Sequence, residues 1–430
     1  MIALATTRFQ RVHPRPGLPS GPYLVVGLAR SGAAISRVLG AHGEVVGCDA
    51  GEPSEVSELV GVEVCLRSDC LDLLDRVSTV VKSPGVPREA PVVAGALERG
   101  LEVTGELELA WRLLPNRFLA VTGTNGKTTT VELLGHMYRA ARLPVAVAGN
   151  VGTPLASLVG AIGPETVVVC EVSSFQLEDS SAFAPECAVL LNLEEDHLDR
   201  HGDAAAYREA KLRIFRNQRP GDHALDPAAI AAQTSTAGGV LSIRGEALLP
   251  LAEIRLRGAH NVENARAASL AALDMGVPAA AIAEALRTFT GVPHRLEEVA
   301  EVDGVLYVND SKATNVASAV KGIEAFEGGV HAILGGSLKG GGFEGLREAV
   351  GSRCRACYLI GDAEERLAAD LEGAAPLRRS GTLESAVSEA SMVAREGEVV
   401  LLSPACASFD SFRDYEDRGA RFRALVPTPE

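Results

Sequence analysis

Phe118-Leu-Ala-Val-Thr-Gly-Thr-Asn-Gly-Lys-Thr-Thr129 is the stretch that decides the fold of this chain. Its first four residues are continuously apolar, the pattern of a strand buried on both faces, and a helical pattern opens at Lys127. A glycine-rich turn between a strand and a helix aims free backbone N–H groups at an anion. Gly123, Thr124, Asn125, Gly126, Lys127, Thr128 and Thr129 therefore read as an ATP-binding loop. Lys127 reaches the β/γ-phosphates and the Thr128 hydroxyl ligates Mg²⁺. The spacing is tighter than the usual GxxxxGK[ST], because Gly123 stands only three residues before Gly126.

Working outward, short apolar runs alternate with helical stretches, the mark of α/β domains with parallel sheets. Runs at 23–26, 45–48, 62–66 and 77–81 form one set, and runs at 118–121, 145–148, 167–170 and 188–191 a second. A third comprises 332–334, 357–360 and 399–402. An Ala-rich helical stretch covers 260–286, and Gly291-Val-Pro-His294 reads as a linker. The expected boundaries are 1–107, 108–291 and 292–430.

Val26-Gly-Leu-Ala-Arg-Ser-Gly32 joins a strand to a helix, with Asp49 at the end of the next strand. This is the dinucleotide-binding layout with Ala29 in place of the second glycine, which disfavours NAD and favours a nucleotide diphosphate in another pose. Ser83-Pro-Gly-Val86 lies where the same crevice opens. Glu171 ends the run 167–170, and Asn192-Leu-Glu-Glu-Asp-His-Leu-Asp199 follows the next one. Oxygen ligands with one imidazole suit Mg²⁺, so Glu171 and His197 are candidate metal ligands. Lys211 reads as an ordinary helix lysine, Lys321 as solvated charge, and Trp111 and Met137 as core.

The chain has 430 residues, 41 Lys+Arg against 56 Asp+Glu and a net charge of −15. That balance argues against a general nucleic-acid binder. No apolar run is long enough to span a membrane, so a cytoplasmic protein without membrane insertion is expected. Only six of the basic residues are lysines (82, 127, 211, 312, 321 and 339). Arginine covers routine surface charge, and a retained lysine is a candidate for chemistry a guanidinium cannot perform. The eight scattered cysteines, including Cys354-Arg-Ala-Cys357, read as incidental reduced thiols.

The phosphate loop, Glu171-Val-Ser-Ser-Phe-Gln-Leu-Glu178, Glu195-Asp-His197, Tyr207-Arg-Glu-Ala-Lys-Leu-Arg-Ile214, His260-Asn261, His294-Arg295, Asn309-Asp-Ser-Lys-Ala-Thr-Asn315 and Ser403-Pro-Ala-Cys-Ala-Ser-Phe-Asp-Ser-Phe412 occur in this order. Together they resemble the Mur ligase family, in its D-glutamate-adding branch, over nearly the whole chain. The resemblance implies three domains: a Rossmann-like UDP-sugar domain, a P-loop-type ATPase domain and a Rossmann-like C-terminal ligase domain. It implies an ATP-dependent ligase of peptidoglycan precursor synthesis, monomeric, with UDP-N-acetylmuramoyl-L-alanine and D-glutamate as substrates and two Mg²⁺ ions. The terminal carboxylate is phosphorylated and the D-glutamate amine attacks the acyl phosphate.

The resemblance further implies that Lys127, Lys211, His197 and Lys312 are catalytic, with Lys211 carbamylated by CO₂ and, with Glu171, His197 and Thr128, part of the metal sites. Asn261, Arg295 and Asp310 would contact ATP. Thr314, Lys339, Ser408 and Phe409 would form the D-glutamate pocket. Gly27, Arg30, Ser31, Gly32, Asp49, Ser83 and Asn150 would serve the UDP-sugar. The chain departs from the family at Ala29, Phe409 and Tyr415. The alternatives are another Mur-type ligase with a different amino acid, and a nucleotide-binding relative without ligase activity.

Overall fold

The computed structural model describes residues 12, 14–194, 198–256, 258–338 and 342–427, the side chains of 198 and 199 excepted. The chain divides into two compact units, 1–253 with 263–287, and 254–262 with 288–430.

The first unit carries two five-stranded parallel sheets. One is built from β1 (Tyr23–Val26), β2 (Val45–Asp49), β3 (Glu63–Leu66), β4 (Thr79–Lys82) and β5 (Glu102–Gly105), in the order β3-β2-β1-β4-β5. The other comprises β6 (Phe118–Thr122), β7 (Val145–Gly149), β8 (Val167–Glu171), β9 (Cys187–Leu190) and β10 (His223–Leu225), in the order β10-β9-β6-β8-β7. In both, the first strand of the set lies centrally and later strands are laid down on either side. The crevice at a reversal of strand order, beyond the carboxyl ends, is where α/β sheets bind ligands. β6 is buried along its length, as its uninterrupted apolar run requires. One apolar cluster joins the two sheets: Trp111 packs edge-on to Phe183 at 5.8 Å, and Trp111 and Met137 are both core residues. A small antiparallel sheet follows, made of β11 (Thr234–Ser235), β12 (Val240–Ile243) and β13 (Glu246–Pro250).

The second unit holds β14 (Glu297–Val302), β15 (Val305–Asn309), β16 (Val330–Gly335), β17 (Cys354–Ile360), β18 (Leu377–Gly381) and β19 (Val399–Leu402), in the order β14-β15-β19-β16-β17-β18. Only β14 is antiparallel to its neighbour. It is a charged edge strand joined to β15 through Asp303-Gly304, both at positive φ, a turn whose twist suits a two-residue hairpin.

Two sequence expectations need correction. The helical stretch 260–286 is two helices, Ala259–Asp274 and Ala279–Thr288. Gly276 at φ 94° and Pro278 separate them, since neither residue sustains a helix interior. The cysteines are not all reduced: Cys48 and Cys70 form a disulfide, with Cα atoms 6.4 Å apart. Cys70 adopts a left-handed backbone at the start of the turn Leu71–Arg76, which brings it to the end of β2. The other six cysteines, Cys354 and Cys357 among them, are free thiols.

Candidate functional site

The loop after β6 is shaped by two glycines at positive φ, Gly123 (154°) and Gly126 (84°). A Cβ on Gly126 would stand 2.2 Å from Asn264 Oδ1, so both conformation and space demand glycine there. Gly126 caps the helix Lys127–Ala140, whose first turn carries no acidic residue, and the positive end of that helix dipole faces the loop. Asn125 N–H donates to Asn192 Oδ1 at 2.8 Å and Asn125 Nδ2 to Glu194 at 2.9 Å. The Thr124 hydroxyl lies 3.0 Å from that of Tyr207. Thus the segment after β9 holds the phosphate loop from outside. Thr129 is buried in the helix.

Two lysines converge on this loop. Lys127 Nζ donates to the carbonyls of Gly123 (2.8 Å) and Thr124 (2.9 Å), and Lys211 Nζ donates to the same Gly123 carbonyl at 2.8 Å. Lys211 is buried, with its ammonium 4.7 Å from the Tyr207 ring centroid. Glu171 closes β8 beside Val121 of β6, so it stands one strand away from the loop. Its Oε1 accepts from Asn150 Nδ2 at 3.2 Å, while its Oε2 is buried with no partner among the described residues. A buried carboxylate oxygen left open in this way fits a cation. No group of three or more His, Cys, Asp or Glu side chains gathers in metal-binding geometry among the described residues. Thr128 and Glu171 are the described residues that could hold magnesium, an ion that keeps much of its hydration. His197 and Lys339 lie outside the described residues.

A cavity of about 580 Å³ opens at the carboxyl ends of β1 and β4. Gly27, Arg30, Ser31, Asp49, Ser83 and Asn150 line it, together with Ala29, Glu55, Gln176 and the 84–86 loop. Gly32 is the one UDP-sugar candidate off the lining. A Cβ there would meet the Gly27 carbonyl at 1.8 Å, so this glycine lets the helix approach the strand. Ala29 has φ −66° and ψ −171°, a backbone open to any residue. The Asp49 carboxylate accepts from Leu28 N–H at 2.7 Å and Gly51 N–H at 2.8 Å, and Ser83 Oγ donates to the Gly27 carbonyl at 2.7 Å. Asn150 both lines this cavity and bonds Glu171, which ties the crevice to the phosphate-loop carboxylate.

In the second unit, Asn261 and Arg295 line a small recess of about 50 Å³ with Arg255, Thr290 and Glu298. Asp310 is buried behind it, accepting from Leu296 N–H at 3.2 Å and Ser403 Oγ at 2.8 Å. Burial pushes its carboxyl up to about 7 against the opposing pull of Arg295. His260 is pushed down to about 4, first by burial and then by Arg295 and Lys321. Lys312 sits with its ammonium 5.6 Å from the Tyr415 ring centroid. Ser408 is buried, whereas Phe409 is 71% exposed and fills no core space. Thr314 is half-buried next to Lys312.

Arg418 is the residue that sequence reasoning missed. Fully buried, it donates to Ser311 Oγ and to the carbonyls of Ser311, Cys406 and Ala407 at 2.9–3.1 Å. It thereby draws the Ser311 loop and the Ser408 loop onto one guanidinium. Burial pushes it down to about 10, so it stays charged at neutral pH. The available signal was an Arg four residues before Phe422, on the buried face of the helix Tyr415–Leu425.

Comparison with known proteins gives the same reading. Residues 121–237 match the Mur ligase middle domain, and residues 294–406 match the Mur ligase, glutamate ligase domain. The UDP-N-acetylmuramoylalanine--D-glutamate ligase of Acidobacterium capsulatum is 43% identical over 94% of this chain and 95% of its own length. The enzyme of that name from Nitratidesulfovibrio vulgaris is 44% identical over 95% and 96%. Among solved structures, UDP-N-acetylmuramate-alanine ligase MurC from Thermotoga maritima superposes with a TM-score of 0.59 at 19% identity, covering 94% of this chain and 98% of its own. MurF ligase from Thermotoga maritima in complex with ADP gives 0.57 at 17% identity, over 89% and 87%. These two share the fold. With both family domains in place, and relatives above 40% identity along nearly its full length, the chain belongs to the Mur ligase family.

Proposed function

We propose that this protein joins D-glutamate to UDP-N-acetylmuramoyl-L-alanine at the expense of ATP, in cytoplasmic peptidoglycan precursor synthesis. The observation that carries the reading is the link through Asn150, which lines the crevice and bonds Glu171 beside the phosphate loop. A UDP-sugar seated at the N-terminus of the helix Arg30–Leu39 would extend its far end toward that carboxylate.

The chemistry follows from the charges. A carboxylate oxygen of the substrate attacks the γ-phosphorus and ADP leaves. The D-glutamate nitrogen then attacks the acyl carbon, phosphate leaves, and one proton is released. Both steps concentrate negative charge, which Lys127 and the amides of the helix Lys127–Ala140 are placed to stabilise. Thr128 and Glu171 would hold Mg²⁺, which neutralises charge on the phosphates when bound. Lys211 is assigned to carbamylation: its ammonium loses a proton, the free amine adds to CO₂ and loses a second, and the resulting anion would serve a second metal position with His197. Asn261, Arg295 and Asp310 are assigned to ATP, Lys312 to the reacting phosphoryl and carboxylate region, and Thr314, Lys339, Ser408 and Phe409 to D-glutamate. A monomer is the form expected for this reading.

Phosphate release measured with ATP, Mg²⁺, UDP-N-acetylmuramoyl-L-alanine and a panel of amino acids tests the reading. Release with D-glutamate alone is expected. Release with a different amino acid instead assigns another Mur-type activity. No release with any of them favours a nucleotide-binding relative.

A further inference from the structure

Lys82 and Asp179 form a buried ion pair at 2.6 Å, each with 1% or less of its side chain exposed. Lys82 ends β4, immediately before the loop that borders the 580 Å³ crevice, and Asp179 follows the helix Ser174–Glu178 from the other sheet. Lys82 Nζ also donates to the Val86 carbonyl at 3.0 Å. Asp179 Oδ1 takes a second cation, Arg88, at 3.3 Å. From a separate element, Arg200 reaches the carbonyls of Pro84 (3.1 Å), Gly85 (3.4 Å) and Val86 (2.6 Å) while its guanidinium lies 4.4 Å over the Phe175 ring. Three consecutive carbonyls of one crevice loop are therefore bound by cations, and both cations are anchored on the segment 175–179.

A loop needs no such hardware merely to stay folded on a protein surface, where water satisfies its carbonyls. Burying an ion pair carries a desolvation cost that hydrophobic packing would avoid, so its retention points to geometry rather than stability. The element anchored on the far side is the helix that begins three residues after Glu171 and carries Gln176, a crevice-lining side chain.

We infer that Lys82, Asp179 and Arg200 are positioning residues for the UDP-sugar: they hold the 83–86 rim of the crevice in register with the Ser174–Glu178 helix. The bound substrate then directs its carboxylate to the phosphate loop. This rests on the proposed ligase reading.

The test uses the full-length enzyme with Arg200→Gln, Arg200→Lys and the apolar double variant Lys82→Met/Asp179→Leu, which leaves no unpaired buried charge. Calorimetric binding of UDP-N-acetylmuramoyl-L-alanine without ATP, steady-state KM for each substrate and thermal midpoints are recorded. Arg200→Gln is expected to weaken UDP-sugar binding and raise its KM at least tenfold, with ATP KM within twofold. Arg200→Lys should recover part of the loss, and the double variant should behave like Arg200→Gln. UDP-sugar affinity within twofold of wild type in Arg200→Gln, or a parallel loss for both substrates, overturns the inference; Arg200→Gln decides alone if the double variant does not fold. A wild-type enzyme that binds the UDP-sugar but releases no phosphate counts against the ligase reading, and the binding comparison still judges the rim.

Discussion

Lys127 and Lys211 come from different helices yet donate to one oxygen, the carbonyl of Gly123, each at 2.8 Å. As ammonium groups the two concentrate positive charge at the N-terminus of the helix Lys127–Ala140, inside a protein of net charge −15, and carbamylation would turn Lys211 into an anion. The two lysines differ in setting: Lys127 opens its helix at the loop, while Lys211 is buried against Tyr207.

That difference separates their substitutions. Lys211→Ala should lower kcat by about a hundred- to a thousandfold, the scale of removing one electrostatic contributor to a transition state. High bicarbonate should not restore the rate, because no amine remains to be carbamylated, whereas a short-chain carboxylate should rescue it in part. Phosphate-release assays with and without these additives decide the matter, and full activity in Lys211→Ala would sink the carbamate.

Glu106 predicts a pH dependence of stability. It is buried, Oε1 accepts from Ala156 N–H at 2.7 Å, and Oε2 has no partner among the described residues. Burial pushes its carboxyl up to about 7 against the opposing backbone hydrogen bonds. The folded form therefore binds its proton more tightly than the unfolded chain. Its contribution is fully present below about pH 4 and is lost as pH rises toward 7. Glu106→Gln should flatten this slope and gain on the order of 1–3 kcal/mol at pH 8 relative to wild type. Urea unfolding at pH 5 and pH 8 measures it; an unchanged slope would refute the assignment.

The disulfide predicts a thiol count. Alkylation under denaturing, non-reducing conditions should label the six free cysteines, and prior reduction should expose all eight. Cys48→Ser/Cys70→Ser should cost about 3 kcal/mol, from the chain entropy that closing a 22-residue separation removes. Eight labels without reductant would exclude the bond.

Arg418→Met should destabilise the second unit by about 3–5 kcal/mol, because it strips the donors from buried carbonyls on two loops. Thermal melts read the stability loss. D-glutamate KM in the surviving fold should rise more than ATP KM, since Ser408 sits on one of the released loops. Equal KM values would leave Arg418 with a purely structural part.

Much of this protein is local and so was legible in the chain. Apolar runs bounded by turns marked most strands of the three large sheets, and Gly123 to Thr128 marked the phosphate loop, because backbone conformation there depends on residues a few positions apart. The hairpin β14–β15 escaped although Asp303-Gly304 signalled it, since a charged edge strand lacks the apolar run of a central one. The break at Gly276 and Pro278 is likewise written in the sequence, in two residues that do not sustain a helix interior. In the sequence Lys82 is one lysine of six, Arg418 is one arginine among many, and Cys48 and Cys70 carry no pairing signal. The α/β class, the anion-binding loop and the family resemblance are written in the order of residues along the chain. Which charges are buried together and which thiols meet emerges only when the chain is folded. Those outcomes depend on contacts such as the one between Lys82 and Asp179, 97 positions apart, where Coulombic attraction is set against desolvation in a burial that no local pattern records.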